Sequence, residues 1–152
     1  MSVTPQAIKE LRERTQAGMS DCKSALVESS GDMEKAVEII LKKGLVKSAK
    51  RAGAVAAEGE VRAAVIESKH AANIVEVNIQ TDFAARYEQF KEFVRDVLGA
   101  VEVAPKGAEA HTLPLAGKTI AELATDLTAK IGEKVHVRRR RRVEIAEGKH
   151  GI

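Results

Sequence analysis

The spacing of apolar residues changes character after the first third of this chain, and that change limits the fold more than any other feature. Up to about residue 46 apolar positions recur every three or four residues, most clearly in Met33, Ala36, Val37, Ile40 and Leu41, the period of a helix buried on one side. From residue 58 they alternate: Val61, Ala63 and Val65 with Glu60, Arg62 and Ala64, then Val75, Val77 and Ile79 with Glu76, Asn78 and Gln80. The expected class is therefore α+β, an N-terminal three-helix bundle followed by an antiparallel three-stranded sheet packed with helices.

Local signals divide the helical part. Thr4 is the expected N-cap and Pro5 the first helical residue of helix one, with Ile8 and Leu11 inward and Gly18 as its end. Ser20 is expected to cap a second helix with the inner face Cys22, Ala25, Leu26 and Ser29, broken by Ser30 and Gly31. Asp32 then caps a third, which Gly44 should close after Lys42 and Lys43. The bundle is assigned to residues 1–46. Residues 47–57, KSAKRAGAVAA, are basic and small without a broad apolar face, so they read as a linker with some helical tendency, leaving 58–152 as the α+β core domain.

Within that core, the first two alternating segments form a hairpin around a loop from Ser68 to Asn73. Thr81 is an N-cap candidate for one long helix carrying Phe83, Tyr87, Phe90, Val94, Val97 and Val101 at spacings of four and three. Pro105 to Gly117 read as a loop and Lys118 to Ile131 as a helix lined by Ile120, Leu123, Ala124 and Leu127 and stopped by Gly132. A third strand from Val135 to Ile145 follows; Val135, Val137, Val143 and Ile145 share one face with Arg139 and Arg141 between them, so either the strand ends near Arg138 or two arginines interrupt the apolar face.

Four aromatics are present, Phe83, Tyr87, Phe90 and Phe93, all within eleven residues, so the rest of the core must be built from Ala, Val, Ile and Leu. No apolar run approaches the roughly 20 residues that span a bilayer, and the first residues lack the apolar region of a secretory signal. The expected location is the cytoplasm. Cys22 has no second cysteine to pair with, and His70, His111, His136 and His150 stand apart without zinc-site spacing, so neither metal nor cofactor is expected. No Gly-rich phosphate loop follows a strand, and HExxH and G-x-S-x-G are absent, which argues against an enzyme of covalent chemistry.

Two segments remain as candidate sites. Thr81-Asp82-Phe83 lies at a strand-to-helix junction. Read locally, Thr81 caps, Asp82 complements the helix dipole and Phe83 begins the buried stripe. Read as a surface, an acid beside a large apolar side chain on a rigid turn is a probe for another protein. The second segment is Arg138 to Arg142. Residues 134–150 hold seven basic against two acidic side chains, whereas the remainder has eighteen basic against twenty acidic. That local excess permits phosphate contacts to nucleic acid. No aromatic lies nearby to stack bases, and a solvated or partner-facing strand is the favoured reading.

The stretches LRERTQAGMSDCKSALVESSGDMEKAV and EVNIQTDFAAR, in that order, closely resemble bacterial translation elongation factor Ts, with AKRAGAVAAEG and IGEKVHVRR similar in kind. The resemblance covers most of the chain. It implies that the bundle is of the ubiquitin-associated type. It further implies a guanine nucleotide exchange factor that binds elongation factor Tu in its GDP form and promotes release of GDP and magnesium so that GTP enters. On the positions that match, Thr81, Asp82, Phe83 and Ala84 are the magnesium-dislodging element, with Phe83 entering a hydrophobic pocket of the GTPase and Asp82 making polar contacts beside it. Arg12 and Met19 are the matching bundle contacts. The family continues into a Gly-rich turn and a further strand about where this sequence stops, so a short form or a fragment is expected; in a truncated chain the third strand is an unprotected edge, which favours a homodimer or instability. The alternative reading is an RNA-binding accessory module acting through Arg138 to Arg142.

Overall fold

The structure, a computed structural model, describes residues 3–66, 70–146 and 148–149. Contacts divide the chain into two units, Met1–Lys50 and Arg51–Ile152.

The first unit contains α1 (Pro5–Thr15), α2 (Met19–Glu28) and most of α3 (Met33–Arg51). Thr4 caps α1 as expected, its Oγ1 accepting from the Ala7 N–H at 3.2 Å. The reversal comes earlier than Gly18: Gln16 adopts the left-handed conformation at φ 56 and donates its N–H to the Arg12 carbonyl at 2.8 Å. Gly18 is therefore free to serve as the N-cap of α2, and Ser20 falls inside the helix instead of capping it. Asp32 caps α3 by accepting from the Lys35 N–H at 3.1 Å, and this bond holds its carboxyl below the ordinary 3.8.

Gly44 does not end α3. An interior glycine costs about 1 kcal/mol relative to alanine, too little to stop a helix whose hydrogen bonds continue, and the first residues assigned to the linker are helical through Arg51. Lys43 and Lys47 reach back to Glu28 and Asp21 at 2.9 and 2.6 Å. Leu11, Cys22, Ala25, Leu26, Ala36 and Ile40 form the core of this unit, while Leu41, expected on the inner stripe, is exposed.

The second unit is an antiparallel sheet, β1 (Glu58–Ile66), β2 (Ala71–Ile79) and β5 (His136–Glu144) in the order β1-β2-β5. With the first unit's helices this is an α+β fold. Strand β2 begins at Ala71, so Asn73, expected in the loop, is a strand residue; Ser68 lies outside the described residues. Helices α5 (Glu88–Glu102) and α6 (Ile120–Ile131) supply Phe90, Val94, Val97, Val101 and Ile120 to a core shared with Val75, Val77, Ile79 and Val137. Gly59 holds φ 142 opposite Asn78, and a Cβ there would collide with the Val77 carbonyl oxygen, so the start of β1 requires glycine.

Cross-strand register decides which half of β1 is covered. Val61 pairs with Glu76, which points away from the core because its neighbours Val75 and Val77 point into it. Val61 and Val65 are thus exposed, and Ala64 and Ile66 take the inner side. Strand β5 changes phase for another reason. Its pairing steps from Val77 with Val137 to Glu76 with Arg139, leaving Arg138 as a β-bulge. Val137 is buried and Val143 is not, so the strand does not end near Arg138 but runs on to Glu144, and the bulge turns its second half over.

The expected long helix after β2 is also split, into α4 (Asp82–Ala85) and α5, with Tyr87 in extended conformation at ψ 134 between them. The phase resets at this break. Phe93 on α5 is buried, and Tyr87, which its spacing assigned to the inner stripe, is exposed. The expected loop before α6 carries a short 3-10 turn (Ala110–Thr112) and a small hairpin of β3 (Pro114–Leu115) and β4 (Lys118–Thr119). Thr119 and Glu122 form a capping box at the start of α6, and Gly132 ends that helix in the left-handed conformation.

Candidate functional site

Thr81 leaves β2 in extended conformation and caps α4, its Oγ1 accepting from the Ala84 N–H at 3.3 Å and its carbonyl from the Ala85 N–H at 3.2 Å. The short helix has a buried side and an open side. Ala84 is 1% exposed against the core, whereas Phe83 is 71% exposed. Asp82 lies at the surface with its carboxylate accepting from Arg86 at 3.2 Å, one helical turn on. The structure therefore brings Thr81, Asp82, Phe83 and Ala84 together on one turn and directs the aromatic ring outward, against the local reading that would have made it the head of the buried stripe.

One participant was not legible in the sequence. The Glu133 carboxylate, beyond the end of α6, accepts from the Thr81 N–H at 3.0 Å and from the Thr81 hydroxyl at 2.8 Å. Its partner is 52 positions away, so no local spacing signals it.

Arg12 and Met19 belong to the first unit. Both are exposed, Arg12 on α1 and Met19 as the opening residue of α2.

Among the described residues, four members of the Arg138 to Arg142 run have partners. Arg138 and Arg139 donate to the Glu76 carboxylate at 3.1 and 2.6 Å, and Arg142 to Glu144 at 2.9 Å. Arg140 donates to the carbonyls of Ala108, Pro105 and Val101 at 2.6, 2.6 and 3.3 Å, fastening the end of α5 and its following loop to the sheet. The Arg139 hydrogen bond, with help from Arg138, lowers the Glu76 pKa below 4.5. His111 and His136 line a shallow depression with Thr125, Val135 and Val137, where burial lowers the His136 pKa and favours its neutral form. Among the described residues no group of three or more histidine, cysteine or acidic side chains is placed to hold a metal ion, and no helix is long and apolar enough to cross a membrane.

A family model described as Elongation factor TS matches residues 80–151, a stretch that opens one residue before Thr81 and includes Glu133 and the whole of β5. Curated proteins named Elongation factor Ts match nearly the full chain. One from Clostridium perfringens strain SM101 is 48% identical over 149 residues, covering 96% of this chain and 49% of the relative. The chain belongs to the elongation factor Ts family. Relatives of the same name from Thioalkalivibrio sulfidiphilus and Malacoplasma penetrans are 45% and 46% identical, covering 97% and 91% of this chain and 51% and 47% of their own lengths. This member of the elongation factor Ts family thus spans about half the length of the curated relatives it matches.

Proposed function

We propose that the chain is a guanine nucleotide exchange factor that binds elongation factor Tu in its GDP form and promotes release of GDP and magnesium so that GTP can bind, without covalent chemistry of its own. The observation that carries this reading is Phe83, a large apolar side chain left in water on a turn whose next residue is locked into the core. Exposed apolar surface on a rigid, capped element is suited to filling a partner's pocket, because little further ordering is needed on binding. Asp82, beside it on the open side, supplies the polar contact.

In this reading the ring enters a hydrophobic pocket of the GTPase, and displacement of the helices around that pocket moves the groups that hold magnesium and the phosphates. Loss of the cation leaves the diphosphate charge uncompensated. By reciprocity, whatever factor the exchange protein gains in affinity for the nucleotide-free GTPase over its GDP form is the factor by which it weakens GDP. Arg12 and Met19 on the first unit, which we infer to be of the ubiquitin-associated type, provide a second attachment and raise the effective concentration of the turn at its pocket.

The RNA-binding alternative has less support, since four of the five arginines in the run are engaged by Glu76, Glu144 or backbone carbonyls. A homodimer formed edge to edge through β5 is disfavoured on a separate ground, since charged side chains along an edge strand oppose its pairing with another chain. The deciding experiment measures GDP release from elongation factor Tu with and without the chain. Acceleration is expected, and tight binding with unchanged release would reduce the chain to a docking module.

A further inference from the structure

The geometry points to Glu133 as the positioning residue that holds the Phe83 turn in its presenting conformation, an inference that rests on the exchange reading above and names a residue outside the turn itself. A helix of four residues cannot sustain its own geometry, because closing the first hydrogen-bonded turn is the unfavourable step of helix formation. Phe83, at 71% exposed, adds little packing to hold it. The direction of the ring therefore depends on what anchors Thr81.

That anchor is double. The Glu133 carboxylate receives the Thr81 N–H at 3.0 Å and the Thr81 hydroxyl proton at 2.8 Å. Since the hydroxyl has one proton, giving it to Glu133 turns the oxygen lone pairs toward the Ala84 N–H, which they accept at 3.3 Å. One carboxylate thus fixes the entry strand and sets the hydroxyl in its capping orientation. The adjacent residues form a second clasp: the Lys134 N–H donates to the Gln80 side-chain carbonyl at 2.7 Å.

Glu133 itself is held by the rigid end of α6. Gly132 donates to the Thr128 carbonyl at 2.8 Å, and the buried Thr128 hydroxyl donates to the Ala124 carbonyl at 2.8 Å while accepting from the Val135 N–H at 2.9 Å. A continuous set of bonds therefore runs from the body of α6 through Glu133 to the turn that carries Phe83.

The test uses the full chain with Glu133→Ala, Phe83→Ala and their double variant, plus Glu133→Gln, which keeps one acceptor oxygen for the hydroxyl and loses the other. Amide hydrogen exchange of the free chain should show lost protection at Ala84 and Ala85 in Glu133→Ala with the Val75 and Val77 amides unchanged, and an intermediate loss in Glu133→Gln. Unchanged protection at Ala84 and Ala85 overturns the inference. If the turn then presents Phe83 in only one conformer in ten, GDP release from elongation factor Tu should slow about tenfold. In the Phe83→Ala background Glu133→Ala should slow release by clearly less than it does in the parent chain, because the larger part of what Glu133 positions is that ring and only Asp82 remains to be misplaced. Slowing by the same factor in both backgrounds also overturns it. If Phe83→Ala releases GDP as fast as the parent chain, the exchange reading fails, and hydrogen exchange at Ala84 and Ala85 still decides the clasp.

Discussion

Phe83→Ala separates a role in folding from a role in binding, because the ring packs little in the free chain and, in the proposed reading, packs into a partner. Full burial of a phenylalanine side chain is worth about 1.5 to 3 kcal/mol. With 71% of the residue still exposed, seating the ring in a partner pocket would bury that remaining fraction and contribute about 1.1 to 2.1 kcal/mol. At about 1.4 kcal/mol per tenfold, affinity should fall by about 6- to 30-fold in Phe83→Ala. The part already buried limits the loss of folding stability to below about 1 kcal/mol. The assay pairs denaturant unfolding of the free chain with titration of nucleotide-free elongation factor Tu and release of a fluorescent GDP analogue. A variant that loses several kcal/mol of stability would refute the argument, since the ring would then be structural. So would one that binds and exchanges like the parent.

Asn73 is 1% exposed, and neither polar atom of its side-chain amide has a hydrogen-bond partner among the described residues. Asn73→Leu should stabilise the second unit by about 1 to 3 kcal/mol, seen as a higher denaturant midpoint, and a lower midpoint would show that the amide is needed. Glu76 has a folded pKa lowered beneath 4.5 by Arg139 and Arg138, so its contribution is present above pH 4.5 and is lost as pH falls through the folded value. The stability gap between the parent and Glu76→Gln should hold steady at neutral pH and close in acid below 4.5, and a gap independent of pH would disprove the ion pairs. If arginines guard the β5 edge, changing Arg139 and Arg141 together to valine should increase self-association in sedimentation, and an unchanged profile would remove that role.

The elements that owe their position to local chemistry were legible in the sequence. Thr4, Asp32 and Thr81 cap where a short polar side chain precedes an apolar stripe, and Gly132 ends α6 where a left-handed residue is needed. What the sequence concealed is set by partners far along the chain. Val61 and Val65 are outward because β2 fixes their register, and the bulge at Arg138 exists only against β2. The break at Tyr87 follows the same rule: the period of four and three through Phe83, Tyr87 and Phe90 is intact in the sequence, but α4 is clasped by Glu133 and α5 is phased by the sheet core. Periodicity alone therefore misplaced Phe83, and the outward position was offered only by reading the turn as a probe for a partner and by the family motif.

That break at Tyr87 has an optical consequence. The chain contains no tryptophan and one tyrosine, so with excitation beyond the phenylalanine band its intrinsic emission comes from a single phenol. This phenol stands half exposed between α4 and α5, four positions after Phe83 and on the segment that would approach a partner. Within this chain tyrosine emission therefore reports on this turn and on nothing else, so in the free protein it follows how the Phe83 turn is held.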